Sequence, residues 1–345
     1  ESGVVENIKA AEAAIREAKL TGDTDTSTAA EAALERIVQE YITETNPFNG
    51  KQQLNVAVIK SPDGTVDLVE GTQHKYEQTM LIFPKTGQDC AAFCTYCFRA
   101  PQLRGGDDKF SSERPEPALK YVAQHNELRD LLITGGDSST LTTATLRSYL
   151  EPIMHDRDSF GHITKIRLGT RYLSYNPFRF LTQGDADDYM KLVRELTEAG
   201  IEVNVMAHFS NIEELTNPFT IAAIRRLGAA GAKVMSQSPI MKGISAWRDE
   251  DGALDLDRSA QNWVDIAELL GAVGARWYSM YLPRATGPKN FFDLGMADSV
   301  RVFNEANSRL SGITRPLRQI SGSVSAGKIG VEDIDEYGIF TMRFV

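Results

Sequence analysis

Hydrophobic and polar positions change period repeatedly along this chain, and the change is regular from about residue 75 onward. Short β-like runs at Thr79–Phe83, Asp130–Thr134, Ile163–Leu168, Glu202–His208, Ala232–Gln237 and Arg276–Tyr281 alternate with amphipathic segments. Those segments lie near 115–126, 142–154, 185–199, 213–229, 258–273 and 297–310, with apolar residues at three- and four-residue intervals. Six β/α units in series predict an α/β fold with a parallel sheet, because parallel strands need a crossover, usually a helix. Eight units close a full barrel, whereas six fit either an open doubly wound sheet or a partial barrel. Periodicity alone does not choose between them.

The ends of the chain read differently. The first 45 residues are predicted to be helical, with Ala-rich Ile8–Ile15 and periodic Ala29–Tyr41 separated by the turn-like Thr21-Gly22-Asp23. Ser61-Pro62-Asp63-Gly64 separates the apolar runs Asn55–Ile59 and Val66–Val69, a hairpin signal. The tail after Ser321 ends in a predicted final strand over 338–345. This divides the chain into an N-terminal helical and hairpin extension (1–72), a β/α region (73–320) and a C-terminal β segment (321–345).

Composition narrows the class of protein. The 345 residues are 42% hydrophobic and 24% charged, which argues against disorder and fibrous repeats. Lys and Arg total 37 against 47 Asp and Glu, a net charge of −10. A dedicated nucleic-acid binder would show a basic footprint, so no nucleic-acid partner is expected. No apolar run approaches the roughly 18 residues that a membrane span needs, so no membrane partner and a cytoplasmic location are expected.

The three cysteines, Cys90, Cys94 and Cys97, fall within eight residues, as Cys-x3-Cys-x2-Cys after the first β-like run. An odd, clustered set is no disulfide framework. Thiolates this close in one loop suit an Fe–S cluster, and a [4Fe–4S] cube normally takes four. Three would leave one iron open to a small-molecule ligand. A zinc site completed by His74 or His125 is the competing metal reading, and three inert thiols the plain one.

With an aromatic residue, Tyr96, just before the third cysteine, the motif resembles the signature of the radical S-adenosylmethionine (SAM) superfamily. The resemblance implies that SAM chelates the open iron, that reduction of the cluster cleaves it to a 5′-deoxyadenosyl radical, and that this radical abstracts a substrate hydrogen. It also implies a partial (β/α)6 barrel, and an electron donor such as flavodoxin or ferredoxin. Gly135-Gly136-Asp137, at the end of the second β-like run, resembles the superfamily segment that contacts the SAM amino group, although Gly-Gly-Asp is also an ordinary turn signal.

Phrases from about residue 74 to 243 resemble the lysine 2,3-aminomutase branch. They are His74-Lys75-Tyr76, Cys94-Thr95-Tyr96-Cys97-Phe98-Arg99, Ile166-Arg167-Leu168-Gly169-Thr170-Arg171, His208-Phe209 and Ser236-Gln237-Ser238-Pro239-Ile240-Met241-Lys242-Gly243. The resemblance implies that His208 and Gln237 lie near SAM, and that Arg167, Thr170 and Arg171 line the barrel mouth. Bland readings stand beside these: a satisfied histidine at 208, a hydrogen-bonded core glutamine at 237, and an Arg171 paired with a nearby carboxylate.

Departures from that branch are equally informative. The aminomutases carry pyridoxal phosphate (PLP) on a lysine in a C-terminal Gly-rich stretch, which places Lys328 as the candidate Schiff-base residue. Their His-Arg-Tyr-x-x-Arg phosphate cradle, however, reads His74-Lys75-Tyr76-Glu77-Gln78-Thr79 here. Losing guanidinium forks and gaining an anion is a poor change for holding a dianion. The aspartates that hold the ammonium of lysine are replaced by Arg284 and Ser321. An arginine there repels an ammonium and suits an anion. With Arg99, Arg171 and Lys85 on the same mouth, a small anionic substrate is expected. Glu202, Lys85 and Tyr172 are the candidates for orienting hydroxyls or moving a proton.

The chain is thus expected to be a PLP-independent radical SAM enzyme. It resembles enzymes of peptidyl-nucleoside antibiotic pathways, such as the one that processes cytosylglucuronic acid in blasticidin S biosynthesis. That resemblance implies decarboxylation or radical 1,2-diol dehydration of a carboxylated sugar nucleoside. The alternatives are a PLP-dependent aminomutase using Lys328 and an Fe–S redox sensor or scaffold.

Overall fold

A computed structural model describes residues 2–44, 55–61, 63–99, 103, 111–284, 289–324, 327–335 and 337–344. Its contacts divide into two compact units. One comprises Glu1–Gln53, Cys94–Lys109 and Ala285–Lys289; the other comprises Leu54–Phe93, Phe110–Arg284 and Asn290–Val345.

The first unit contains two long helices, Ser2–Thr21 and Thr24–Glu44. The Asp23 carboxylate opens the second, accepting from the Thr26 amide at 3.0 Å and the Thr26 hydroxyl at 2.6 Å. This is the capping that an orphaned helix N-terminus requires.

The second unit is built on one sheet. Its strands are β3 (Thr72–Tyr76), β4 (Thr79–Ile82), β5 (Asp130–Ile133), β6 (Lys165–Thr170), β7 (Glu202–Ala207), β8 (Lys233–Pro239), β11 (Arg276–Tyr281), β12 (Ser321–Val324), β13 (Gly327–Ile334) and β14 (Phe340–Phe344). The order is β14-β13-β12-β11-β8-β7-β6-β5-β4-β3. From β4 to β12 the neighbours are parallel; β3, β13 and β14 are added antiparallel at the two edges. Two antiparallel hairpins, β1 (Ala57–Lys60) with β2 (Val66–Val69) and β9 (Trp247–Arg248) with β10 (Leu254–Asp255), stand outside it. All six predicted β/α strands form, within one or two residues at most ends, and β12 extends the parallel run to seven.

Helices Pro115–Gln124, Thr143–His155, Ala186–Glu198, Pro218–Ala229, Leu256–Ala272 and Met296–Arg309 connect or flank these strands. The sequence sets their starts. Thr142, Asn217 and Asp255 cap three of them through side-chain oxygens, and Pro115 and Pro218 occupy first-turn positions, where a missing N–H is harmless. One sheet face lies against the helices and is apolar. There Trp277 stacks on Trp263 with ring centroids 5.4 Å apart, and both are fully buried.

The other face carries half-buried polar side chains, and the sheet curls around it. Arg167 on β6 lowers the pKa of Lys328 on β13, five strands away, a distance of about 24 Å in a flat sheet. Tyr76 on β3 likewise feels Arg284 and Arg318, which flank β11 and β12. Such reach requires that face to be concave.

Candidate active site

Parallel β/α folds place their chemistry at the C-terminal strand ends, and a tightly packed corner lies there after β4 and β5. The Gly87 carbonyl accepts the amides of Gly136 at 3.0 Å and Asp137 at 3.3 Å. Gly135 has φ +153°, and a Cβ on it would lie 2.2 Å from Gln88 Nε2. A Cβ on Gly136 would lie 2.2 Å from the Asp89 carbonyl oxygen. Any side chain at either position would push away the backbone that leads into Cys90. The Gly-Gly pair is therefore required by its contact with the start of the cysteine loop.

Asp137 is almost fully buried and ties this corner to β6. Its Oδ1 accepts the Ser139 amide at 2.8 Å and its Oδ2 the Arg171 amide at 2.6 Å. Burial raises its pKa to about 6, against the opposing pull of those hydrogen bonds. Thr170 is buried beside it, accepting from the Ser139 hydroxyl at 2.8 Å and the Tyr172 amide at 3.0 Å. Arg179, absent from the sequence expectations, braces the whole corner. It donates to the Ser139 carbonyl, the Leu141 carbonyl and both oxygens of Asp185 at 2.8–3.3 Å.

Beyond Asp137 come Tyr172, Arg171 and His208. Burial raises the pKa of the Tyr172 hydroxyl, aided by the negative charge of Asp137, Cys90 and Asp89, so it stays protonated. Arg171 pairs with Glu214 at 3.0 Å in a mostly buried contact, and its guanidinium lies 4.4 Å from the Tyr175 ring centroid. His208, at the end of β7, contacts the Ser210 hydroxyl through Nε2 at 2.8 Å. Burial, reinforced by Arg171, holds its pKa well below the usual histidine range, so the imidazole is neutral.

The concave face holds a second group. Arg167 makes a double contact with Asp130, Nε to Oδ1 at 2.9 Å and Nη2 to Oδ2 at 2.6 Å. The Tyr281 hydroxyl donates to Gln237 Oε1 at 2.9 Å, and Lys328 Nζ sits 4.4 Å from the Tyr281 ring centroid. Arg318 donates to the Tyr278 hydroxyl at 3.2 Å, and Arg284 to the Ser323 hydroxyl at 3.3 Å. Burial and then the charges of Arg318, Arg167 and Arg284 push Lys328 down to about 8.

Two expected proton-moving residues are placed elsewhere. Glu202 is the first residue of β7, at the N-terminal end of the sheet, where it accepts from Lys233 Nζ at 2.5 Å and Asn204 Nδ2 at 2.9 Å. Its carboxyl is held below the usual range by Lys233 and then Asn204, which suits a structural ion pair and not a proton shuttle. Glu202 therefore lies at the opposite end of the sheet from the Gly-Gly corner. Lys85 follows β4 but is exposed and pairs with Glu113 at 2.9 Å. Arg167 points toward Asp130 at the start of β5, away from the Gly-Gly corner.

None of the three cysteines is in a disulfide, and each is half-buried. Cys90 lies on the larger unit; Tyr96, Arg99, Cys94 and Cys97 lie on the smaller one. There the Cys97 amide donates to the Cys94 carbonyl at 3.0 Å, and the Arg99 guanidinium lies 5.3 Å from the Phe98 ring centroid. Among the described residues no three His, Cys, Asp or Glu side chains are already gathered in metal-binding geometry. The donor set itself, three thiols in one loop, fits a cluster with one open iron. The zinc alternative gains nothing: His74 contacts the Tyr121 hydroxyl at 2.6 Å and the Glu77 carbonyl at 3.1 Å, and His125 contacts the Tyr121 carbonyl at 2.7 Å.

Comparison with known proteins finds, among solved structures, a radical SAM methyltransferase of Kitasatospora setae with cobalamin and a [4Fe–4S] cluster bound, which aligns with a TM-score of 0.37 at 13% identity over 59% of this chain and 36% of its own. Its curated relatives are amino acid 2,3-aminomutases. A putative L-lysine 2,3-aminomutase of Aquifex aeolicus is 26% identical over 264 residues, 76% of this chain and 64% of that protein. The glutamate 2,3-aminomutase of Clostridioides difficile is 24% identical over 74% of this chain and 54% of its own length. The chain thus spans only part of the relatives it matches. No protein-family profile matches. Among solved structures, a radical SAM methyltransferase from Sphaerobacter thermophilus aligns with a TM-score of 0.47 at 11% identity, covering 90% of this chain and 92% of its own. No helix among the described residues is long and apolar enough to cross a membrane.

Proposed function

We propose that this chain is a radical SAM enzyme that acts, without PLP, on a small anionic substrate at the concave face of a partial (β/α)6 barrel. The observation that carries the reading is the Gly135-Gly136 turn. It accommodates no side chain because it presses on Gln88 and Asp89, the residues that lead into Cys90, so the Gly-Gly-Asp segment and the start of Cys-x3-Cys-x2-Cys form one built corner.

Cys90, Cys94 and Cys97 would hold the [4Fe–4S] cluster, which with SAM supplies a 5′-deoxyadenosyl radical for hydrogen abstraction. The residues around it have separable tasks. Asp137 fixes the corner through two backbone amides, His208 offers a neutral ring, and Tyr172 keeps a hydroxyl available as a donor. Arg171 is neutralised by Glu214 and positions the loop after β6. Arg284, Arg318 and Lys328 make the concave face attractive to an anion. A carboxylated sugar nucleoside of the cytosylglucuronic acid kind fits that charge, and the reaction would be decarboxylation or 1,2-diol dehydration in an antibiotic pathway.

A PLP-dependent aminomutase using Lys328 is the second reading, favoured by one observation: a lysine held near 8 carries an appreciable neutral, nucleophilic fraction at neutral pH. The phosphate cradle does not fit it. His74 is engaged by Tyr121, and Thr79 donates to Asp130 at 3.3 Å. Schiff-base absorbance in PLP-supplemented protein, lost in Lys328→Ala, would reverse this preference.

The direct test is anaerobic cluster reconstitution followed by SAM and dithionite, with and without cytosylglucuronic acid. We expect 5′-deoxyadenosine from the intact protein and none from Cys94→Ala. A fully iron-loaded protein that leaves SAM intact under both conditions would mark it as a sensor or scaffold.

A further inference from the structure

The concave face near β11–β13 gathers the cations Arg284, Arg318 and Lys328. Among the described residues no carboxylate lies within ion-pair distance of Arg318 or Lys328; Arg167, the remaining nearby cation, is already matched by Asp130. Strand register puts the rest of the group on one face. Tyr281 pairs with Ser321 across the parallel β11–β12 step, and Ser323 pairs with Lys328 across the antiparallel β12–β13 step. Paired residues of adjacent strands share a face, and so do residues two apart in one strand. Ser321, Ser323, Lys328 and Tyr281 therefore face the same way, with Arg284 bonded to Ser323. The Ser321 hydroxyl is buried on that face and has no hydrogen-bond partner among the described residues. Buried hydroxyls are normally satisfied, so an orphan beside a cation cluster points to a ligand acceptor.

We propose that Arg318, Lys328 and Arg284, with the Ser321 hydroxyl, form the binding site for a substrate carboxylate. The assignment rests on the reading that the substrate is a small anion and names the groups that hold it. Two guanidinium forks match a planar carboxylate. The groups facing Lys328 are Tyr281 from β11, Arg318 from the segment before β12, Arg284 from the segment after β11, and Arg167 from β6. None of them supplies negative charge. In the empty site Lys328 titrates near 8, lowered by burial and by those cations. A carboxylate among them reverses the balance, so the bound state holds the proton more tightly than the free state. Affinity is then full below pH 8 and falls as the pH is raised through it.

The test is calorimetric titration of the reconstituted, SAM-loaded full chain with cytosylglucuronic acid. The neutral glucoside, with a hydroxymethyl group in place of the carboxylate, is the control ligand. Titrations in two buffers of different ionisation enthalpy at pH 8 give the proton count. We expect the acid to bind at least about tenfold tighter than the glucoside, as a charge-assisted contact implies. It should take up roughly half a proton at the Lys328 midpoint. Lys328→Met should abolish the uptake, and Arg318→Gln should weaken the acid about tenfold while leaving the glucoside unchanged. Equal affinity for the two ligands, absence of proton uptake, or failure of the acid to bind would overturn the assignment. Tighter binding of inorganic phosphate than of the acid would also overturn it, in favour of a phosphate ester. The two readings fail separately: 5′-deoxyadenosine formation with no carboxylate preference sinks only this assignment, whereas proton-linked acid binding without SAM cleavage sinks only the radical reading.

Discussion

Two regions of the sheet treat charge in opposite ways. At the ends of β5 to β7 nearly every charge is neutralised within the chain: Asp137 by two backbone amides, Arg171 by Glu214, and Arg179 by Asp185 and two carbonyls. Around β11 to β13, Arg318 and Lys328 instead have no carboxylate within ion-pair distance among the described residues, and burial, followed by Arg318 and the other nearby cations, depresses Lys328. A region that completes its own hydrogen bonds holds a fixed shape. A region left with surplus charge stores attraction for something outside the chain. The contrast implies that substitutions at the first region act on stability and at the second on binding.

The largest expected effect is at Arg179. Replacing it with Met leaves the Ser139 and Leu141 carbonyls unpaired and Asp185 with only its Thr143 contacts at 2.7 and 2.8 Å. Breaking a buried pair by removing one partner typically costs about 3–5 kcal/mol. Chemical denaturation of Arg179→Met should show a loss of that order, with SAM cleavage reduced because Ser139 no longer supports Asp137. A loss of under about 1 kcal/mol would remove the distinction between the two regions.

A smaller effect belongs to Asp137. Its pKa rises from 3.8 unfolded to about 6 folded, so its contribution to stability is present below pH 3.8 and is lost as the pH rises through 6. The shift corresponds to roughly 3 kcal/mol at most. Asp137→Asn cannot ionise, so the stability difference between wild type and variant should move against wild type between pH 4 and 6.5. A constant difference across that range would show that the amide hydrogen bonds outweigh burial.

The sequence made some of this legible for identifiable reasons. The six β/α strands were readable because apolar runs bounded by glycine, such as Gly200 before β7 and Gly231 before β8, mark where a helix ends and a strand begins. The Gly135-Gly136 turn was legible as a motif, and its cause, contact with Gln88 and Asp89, is tertiary. Arg179 and Arg318 left no local trace: the first lies in a short 3-10 helix, Pro177–Phe180, the second in an irregular segment, and each acquires meaning from Asp185, Ser139 or Tyr278 nearby in space. Glu202 was legible as the first residue of a strand, but its separation from the Gly-Gly corner follows from the direction of the sheet.

The smallest stability effect, and the one that most sharpens the contrast, is expected at Arg318. Removing it forfeits one hydrogen bond to Tyr278, worth about 0.5–1.5 kcal/mol, and relieves repulsion with Lys328. The two effects oppose each other, so Arg318→Met should unfold within about 1 kcal/mol of wild type at pH 7. Its signature lies in the titration. Lys328 is depressed from 10.5 to about 8, so the unfolded chain binds more protons between those values and stability rises with pH across that window. Arg318 is the leading charge in that depression, after burial, so Arg318→Met should raise the Lys328 midpoint and make the rise shallower. Unfolding free energies at pH 7.5, 8.5 and 9.5 would show it. An unchanged slope would mean that burial alone lowers Lys328 and that the cations around it are too well screened to draw in a carboxylate.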